Sequence, residues 1–214
     1  MKPLTKYNRV AGYLNKIYDM LNADFFGGEL ERPVITIQST PRAYGHYTLF
    51  DAWDVRGAGE HEINIGAGTL DRPIELIVST LLHEMCHQWN DVHGIQDCSA
   101  AGRMYHNKYF KAAAETHGLN VSRSERYGWS ITSPSDELIE WVLLNDLVEI
   151  ELNRNDPHGF HMGGKGAASG GVPVPPTKSN SRRYVCPGCG AIVRATKAVN
   201  IICGDCLQPF ALTD

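Results

Sequence analysis

The residues with the clearest capacity for chemistry lie at positions 81–94, in the segment LLHEMCHQWNDVHG. His83, Glu84 and His87 form an HExxH pattern, and His93 follows six residues after the second histidine. Residues four apart lie on one face of a helix, so both histidines of the pattern can direct an imidazole nitrogen at one metal ion. The glutamate then lies beside the metal, where it can accept a proton from water. The segment therefore predicts a hydrolytic zinc site with Glu84 as general base.

The third protein ligand of such a site has three candidates. His93 has the spacing of an HExxHxxGxxH pattern, in which Asn90 replaces the glycine. Asparagine tolerates the left-handed conformation that this turn requires, so the replacement does not exclude His93. His106 lies in the phrase HNKYF, and Glu115 would give a site of two histidines and one glutamate. Spacing favours His93 but leaves the other two open.

A second metal site is indicated near the end of the chain. Cys186 and Cys189 form one CxxC pair, Cys203 and Cys206 form another, and 13 residues separate the pairs. Two CxxC turns can direct four thiolates at one point, which is the tetrahedral arrangement that structural zinc prefers. All four positions are protein ligands, so this site is predicted to be structural. A module of about 30 residues cannot build an adequate core, and zinc would supply much of its folding free energy.

Hydrophobic periodicity predicts an α+β arrangement for the elements that position the first site. The helix that contains HExxH is expected to begin at Pro73 and to end near Asn90 or Gly94. The segment 51–59 has the composition of a turn. The other predicted elements are helices at about 8–26, 103–117 and 135–152, strands at 33–39, 43–50 and 61–67, and a possible strand at 126–132.

Composition divides the chain into three parts. Residues 1–153 are predicted to form one domain, 154–183 a linker rich in Gly, Pro and Ser, and 184–214 a zinc ribbon. The first part has 13 Lys and Arg against 21 Asp and Glu, whereas residues 154–214 have 7 against 3. The basic tail is therefore expected to meet an anionic partner first. Its candidate contacts with phosphates and bases are Arg182, Arg183, Arg194, Lys197, Tyr184 and Phe210.

Two further classes are disfavoured by the sequence. No segment approaches the roughly 18 consecutive apolar residues of a membrane helix. The first 21 residues are amphipathic and contain no apolar stretch that ends in a small-residue cleavage site. We therefore expect a cytoplasmic protein without a membrane contact, in which the six cysteines bind metal more readily than they form disulfides.

Several phrases, in order, resemble the SprT-like family of zinc metallopeptidases, which includes the Spartan proteases. They are IYDMLNADFFGGEL, HYTL, EINIG, IELIVSTLLHEMCHQW and HNKYFKAAAETHGL. The resemblance covers roughly residues 7–130, and a four-cysteine ribbon at 184–210 is similar to that of bacterial members. By this resemblance, His83 and His87 are the first two zinc ligands and Glu84 is the catalytic glutamate. HNKYF matches the phrase that contains the third ligand, so the resemblance favours His106 over His93.

Two departures from the family pattern affect this assignment. Asn107 replaces the usual glycine, and the segment from His87 to His106 is long for the family. The resemblance otherwise implies a zincin-like metallopeptidase domain with a catalytic zinc and a structural zinc. It also implies protein substrates that are bound or crosslinked to DNA, with single-stranded or damaged DNA meeting the basic tail and ribbon. The alternatives are a non-catalytic nucleic-acid-binding or adaptor protein with a structural HExxH site, and a zinc hydrolase acting on other substrates.

Overall fold

The computed structural model describes residues 3–40, 43–99, 104–155, 182–195 and 198–213. The chain divides into two compact units, Met1–Gly163 and Gly164–Asp214. The predicted linker 154–183 lies almost entirely outside the described residues, so its borders remain predictions. Among the described residues, none of the helices combines the length and apolar character of a membrane span.

The first unit is a mixed α+β structure, as the sequence predicted. Its helices are α1 (Tyr7–Phe25), α2 (Ile74–Val92), α3 (Lys108–Thr116) and α4 (Asp136–Leu144). Its strands are β1 (Val34–Gln38), β2 (Gly45–Tyr47), β3 (Trp53–Val55), β4 (Ala58–Glu60), β5 (Glu62–Gly66), β6 (Leu119–Ser124) and β7 (Gly128–Pro134). A short 3-10 helix, Ala67–Thr69, connects β5 to the segment before α2.

The core of this unit forms where α1 and α2 pack on a three-stranded sheet of order β1-β5-β2. Every residue of β5 is buried, because this strand lies between a parallel neighbour, β1, and an antiparallel neighbour, β2. Both helices contribute apolar residues at intervals of three and four, which places them on one face. The fully buried members of these two faces are Val10, Leu14, Ile17, Tyr18, Leu21, Ile77, Val78, Leu81, Leu82 and Met85.

The helix with the HExxH pattern follows its sequence signals closely. Pro73 immediately precedes the first residue of α2, and His93 is its C-terminal cap. Gly94 then takes a φ of +66°, the left-handed conformation that commonly ends a helix. Asn90 lies inside α2 and is buried, so the turn that an HExxHxxGxxH site requires does not form there.

Several elements differ from the sequence predictions. Segment 51–59 is not only a turn, because it contains β3 and part of β4, which pair as a hairpin. The helix predicted at 103–117 corresponds to α3, which begins at Lys108, after a cap by Asn107. Strand β6 was missed, and it pairs with β7. Helix α4 ends at Leu144 rather than near Leu152, and Asp146 then takes a φ of +48°.

The second unit contains a small antiparallel sheet of order β10-β8-β9 in its described residues. Its strands are β8 (Arg182–Val185), β9 (Ile192–Ala195) and β10 (Ala211–Thr213). The two CxxC turns lie outside these strands, one between β8 and β9 and the other before β10.

Candidate metal centres

Three histidines from two segments converge in the first unit. His83 and His87 project from α2, and His106 lies just before α3. The Nε2 atom of His106 lies 3.1 Å from Nε2 of His87 and 3.3 Å from Nε2 of His83. Nitrogens bound at 2.0–2.1 Å to a tetrahedral zinc ion are about 3.3–3.4 Å apart. The arrangement is therefore compatible with zinc.

The three imidazole rings all pack against one apolar residue. The ring of Phe110, which is fully buried, lies 4.5 Å from each imidazole ring between centroids. Burial, together with the neighbouring histidines, holds the pKa of His83 well below its usual value. Burial and the charge of His87 lower the pKa of His106 to about 4. Both rings are thus neutral at neutral pH, and neutral imidazole is the form that binds a metal.

The second nitrogen of each HExxH imidazole has its own partner. Nδ1 of His87 lies 2.7 Å from Oδ2 of Asp97, and Nδ1 of His83 lies 2.9 Å from Oγ1 of Thr132 on β7. Burial lowers the pKa of His87, but the hydrogen bond and charge of Asp97 raise it above its usual value overall. These contacts orient both rings so that their Nε2 atoms face His106.

His106 is positioned by its backbone rather than by a helix. Its N–H donates to the carbonyl of Tyr127 at 2.9 Å, and its carbonyl accepts from the N–H of Trp129 at 3.0 Å. It also forms isolated β-bridges with Cys98 and Gly128. The prediction that the helix at 103–117 includes His106 is therefore wrong, since a β-like segment between two other chain segments positions this residue.

Asn107 accounts for the first departure from the family pattern. Its side-chain Oδ1 accepts from the N–H groups of Tyr109 (2.7 Å) and Phe110 (3.3 Å), which makes it the N-cap of α3. Its φ is −94°, so the position has no need of glycine. Asparagine is among the preferred N-cap residues, and here it fixes the helix that supplies Phe110.

Gly128 lies directly against the backbone of His106. Its φ is +68°, and an added Cβ would collide with the carbonyl oxygen of His106. We predict that Gly128→Ala lowers the free energy of unfolding by more than about 2 kcal/mol, since the left-handed conformation alone costs about 1–2 kcal/mol. The matched control is Gly94→Ala, which has a φ of +66° and no atom within 4 Å of an added Cβ.

Chemical denaturation and bound zinc should separate the two glycine variants. Gly94→Ala should lose only the free energy of unfolding that the left-handed backbone conformation costs, about 1–2 kcal/mol, and should keep its zinc. Gly128→Ala should lose more stability and should also lose zinc from the histidine cluster. Equal losses of stability, with full zinc occupancy in both variants, would show that the close approach of Gly128 to the carbonyl of His106 does not matter for the site.

Glu84 follows His83 on α2, is 5% exposed, and is close enough to His87 for the charge of that residue to affect its pKa. Burial raises its pKa to about 7, although the charge of His87 and the N–H of Tyr47 on β2 act in the opposite direction. Space beside it is limited, because a Cβ added to Gly45 would lie 3.1 Å from Oε1 of Glu84 and 2.8 Å from the carbonyl oxygen of Asn64. A carboxyl group with a pKa near neutrality can both accept and return a proton.

The other two candidate ligands lie elsewhere. His93 stacks on Trp89 at 4.2 Å between ring centroids, and its Nδ1 contacts the carbonyl of that residue at 2.7 Å. Six residues of helix correspond to about 600°, so His93 lies about 120° around the helix from His87. Glu115 is half-exposed and forms an ion pair with Lys111 at 3.5 Å.

Comparison with protein families agrees with this arrangement. The model of the SprT-like family matches residues 14–127. The chain belongs to the SprT-like family. This SprT-like region contains all three converging histidines and Glu84, whereas the four cysteines lie beyond it. Searches of curated proteins and of solved structures returned no match.

Four residues of this SprT-like site were missed in the sequence. Asp97, Thr132, Phe110 and Gly128 are separated from HExxH by 10 to 45 residues of chain. Phe110 could have been found, because it falls within the phrase HNKYF. The other three have no motif of their own, and only the pairing of distant segments brings them to the site.

The second candidate centre is a cluster of four cysteines in the second unit of the chain. The sulfur atoms of Cys186, Cys189, Cys203 and Cys206 all lie within 4.8 Å of one another, and those of Cys189 and Cys203 are 3.7 Å apart. Thiolates bound at 2.3 Å to a tetrahedral zinc ion are about 3.8 Å apart, so this cluster is also compatible with zinc. The hydrogen bond between Cys206 and Cys189, together with burial, raises the pKa of Cys206 to about 12. A divalent cation would remove that penalty on ionisation.

The structure describes only part of the predicted DNA contacts. Tyr184 is buried and its hydroxyl accepts from the N–H of Val199, so its ring is not free to stack on a base. Phe210 is partly exposed. Lys197 lies outside the described residues, and of Arg182, Arg183 and Arg194 the backbone alone is described.

Proposed function

We propose that this SprT-like protein is a zinc-dependent endopeptidase in which His83, His87 and His106 hold the catalytic zinc. The observation that supports it best is the convergence of three imidazole Nε2 atoms, together with a buried carboxyl group, that of Glu84, next to His83 on the same helix. When bound, zinc generates a nucleophile from water at neutral pH and polarises a carbonyl oxygen. Site and family together favour hydrolysis of a peptide bond.

Glu84 is the general base of this proposal. Its carboxylate takes a proton from the attacking water and delivers it to the nitrogen of the departing amine. Burial opposes the ionised form, whereas the N–H of Tyr47 favours it, as would the positive charge of a bound zinc ion. The balance leaves the group able to exchange a proton at neutral pH, which both steps require.

The pKa of Glu84 predicts an acid limb in the pH profile. Burial raises that pKa to about 7, and the base works only when it is ionised. As the pH falls through the pKa, kcat/KM should therefore decrease about tenfold per pH unit. The charge of zinc favours the carboxylate, so the limb is expected at or below about pH 7. Initial rates on a fluorescent peptide across pH, at saturating zinc, test this, and a rate that increases towards acid pH would contradict it.

We further propose a zincin-like architecture for the catalytic domain. Its support is the packing of α2, with the HExxH pattern, against β2 and β5 of a small mixed sheet. In the described residues β2 lies at the edge of that sheet, and its Tyr47 N–H reaches Glu84.

The proposed substrates are proteins associated with or crosslinked to DNA, and the proposed place of DNA contact is the basic tail with its zinc ribbon. Two observations support this. Residues 154–214 carry 7 Lys and Arg against 3 Asp and Glu, whereas the preceding 153 residues have a net charge of −8. The tail would therefore direct the chain to phosphates, while zinc in the four-cysteine site maintains the fold of the ribbon.

The substrate class can be tested with two substrates of the same protein sequence, one free and one attached to a single-stranded oligonucleotide. We expect faster cleavage of the attached form, with an advantage that falls as salt increases. Arg182→Ala with Arg183→Ala should remove much of this advantage and leave cleavage of the free form unchanged. Equal cleavage of both substrates at low salt would contradict the role of DNA and leave the peptidase assignment standing.

A further inference from the structure

Asp97 is a buried acid in the segment between α2 and His106. It is 5% exposed, and its Oδ2 contacts Nδ1 of His87 at 2.7 Å and accepts from Nδ2 of Asn90 at 3.1 Å. Burial of a carboxylate is costly unless hydrogen bonds compensate for the lost water. Burial raises the pKa of Asp97, but hydrogen bonds from His87, Asn90 and Cys98 bring it below its usual value overall. These hydrogen bonds therefore compensate for the lost water.

The backbone at Asp97 and Cys98 is paired with the segment that contains His106. The carbonyl of Asp97 accepts from the N–H of Asn107 at 2.8 Å. The next residue, Cys98, forms a β-bridge with His106. The side chain of Asp97 thus contacts one histidine of the cluster while its backbone is paired beside another.

His87, Asp97 and Cys98 also lie close enough to suggest a separate metal site. The distance between His87 Nδ1 and Asp97 Oδ2 argues against this. Nitrogen and oxygen ligands of one tetrahedral ion are about 3.3 Å apart or more, whereas these atoms are 2.7 Å apart. That is the length of a charge-assisted hydrogen bond between an imidazole N–H and a carboxylate.

A carboxylate only accepts hydrogen bonds, so Asp97 requires the proton of a neutral His87 to be on Nδ1. The lone pair of His87 is then on Nε2, the atom that lies 3.1 Å from Nε2 of His106. The negative charge also makes that lone pair a better donor to a metal. Without Asp97, the ring could carry its proton on either nitrogen and could rotate.

We propose that Asp97 is a positioning residue for the zinc ligand His87, fixing its tautomer and orientation through the hydrogen bond to Nδ1. Its effect on cleavage rests on the proposed function, whereas its effect on zinc affinity does not. Removing such a partner of a metal-binding histidine typically weakens metal binding 10–100-fold.

The test uses the full chain with Asp97→Asn, and Asp24→Asn as matched control. Asp24 also accepts a ring N–H at 2.7 Å, from Trp141, and has no contact with the histidine cluster. Competition with a chromogenic chelator measures zinc affinity, with the four-cysteine site of the same chain as internal reference. We expect the histidine site to bind zinc about 10–100-fold more weakly in Asp97→Asn, with the ribbon site unchanged. The control should match wild type at both sites.

A second measurement needs no variant and so does not depend on the folding of one. Nitrogen NMR of the metal-free wild-type chain at alkaline pH should show the proton of His87 on Nδ1. A proton on Nε2, or zinc affinity within twofold of wild type in folded Asp97→Asn, would overturn the proposal. Zinc-loaded wild type that binds as expected but cleaves no protein would contradict the proposed function alone.

Discussion

Replacement of Glu84 by glutamine is expected to abolish most peptide cleavage while zinc stays bound. Glutamine has nearly the same shape and keeps an oxygen that can accept the hydrogen bond from the N–H of Tyr47. It cannot take a proton from water, and removal of a general base typically lowers the rate about 10²–10⁴-fold. The loss should therefore appear in kcat, with two zinc ions per chain as in wild type.

The control for this variant is Glu75→Gln, the same substitution nine residues earlier, in the first turn of the same helix. It should keep wild-type kcat and zinc content. Cleavage by Glu84→Gln at the wild-type rate would show that another group removes the proton. A loss of zinc in Glu84→Gln would mean that the carboxylate helps to hold the metal, contrary to its assigned role.

The second large effect is expected for His106→Ala. Two imidazoles cannot replace the three protein ligands of a catalytic zinc site, so the chain should keep only the zinc ion of its cysteine cluster. Zinc per chain, measured by atomic emission after dialysis, should fall from two to one, and cleavage of casein should be lost.

His93→Ala is the matched comparison, because spacing alone favours His93 as the ligand. In the structure the ring of His93 stacks on Trp89, away from the cluster, and its Nε2 lies 3.7 Å from Oε2 of Glu29. Its removal should leave two zinc ions per chain and wild-type cleavage. The reverse result, with zinc lost from His93→Ala and retained in His106→Ala, would exclude the ligand set proposed here.

The contrast between these two histidines shows what spacing can and cannot predict. HExxH is a local pattern, so helical geometry was enough to place His83 and His87 on one face of α2. The third position depends on where α2 ends, and the helix continues through Asn90 to Val92. Helical rotation then turns His93 away, and the resemblance carried by HNKYF, rather than distance along the chain, indicated His106.

The surroundings of the site could not be predicted because they depend on contacts between distant segments. Thr132 reaches His83 from a strand 49 residues away, and Gly128 lies against His106 through an isolated bridge. Neither residue has a pattern that distinguishes it from an ordinary strand residue. The same limit applies to Asp97, whose role is defined only by its contact with His87.

The hairpin of β3 and β4 was missed for a different reason. Its turn residues Arg56 and Gly57 have φ values of +57° and +87°, and positive φ at both central residues is typical of a tight hairpin turn. Glycine at the second position is usual, but arginine at the first is not. Turn composition over 51–59 therefore indicated a loop, although the two short strands pair within that segment and the residue after it.

The most direct test of the central claim is a titration of the metal-free chain with zinc while casein cleavage is followed, with single-stranded DNA present throughout. The four-cysteine site should fill without activity, and cleavage should then increase in proportion to zinc in the histidine site, reaching its maximum at two ions per chain. Full occupancy of both sites with no cleavage would contradict the account and indicate a non-catalytic metal site.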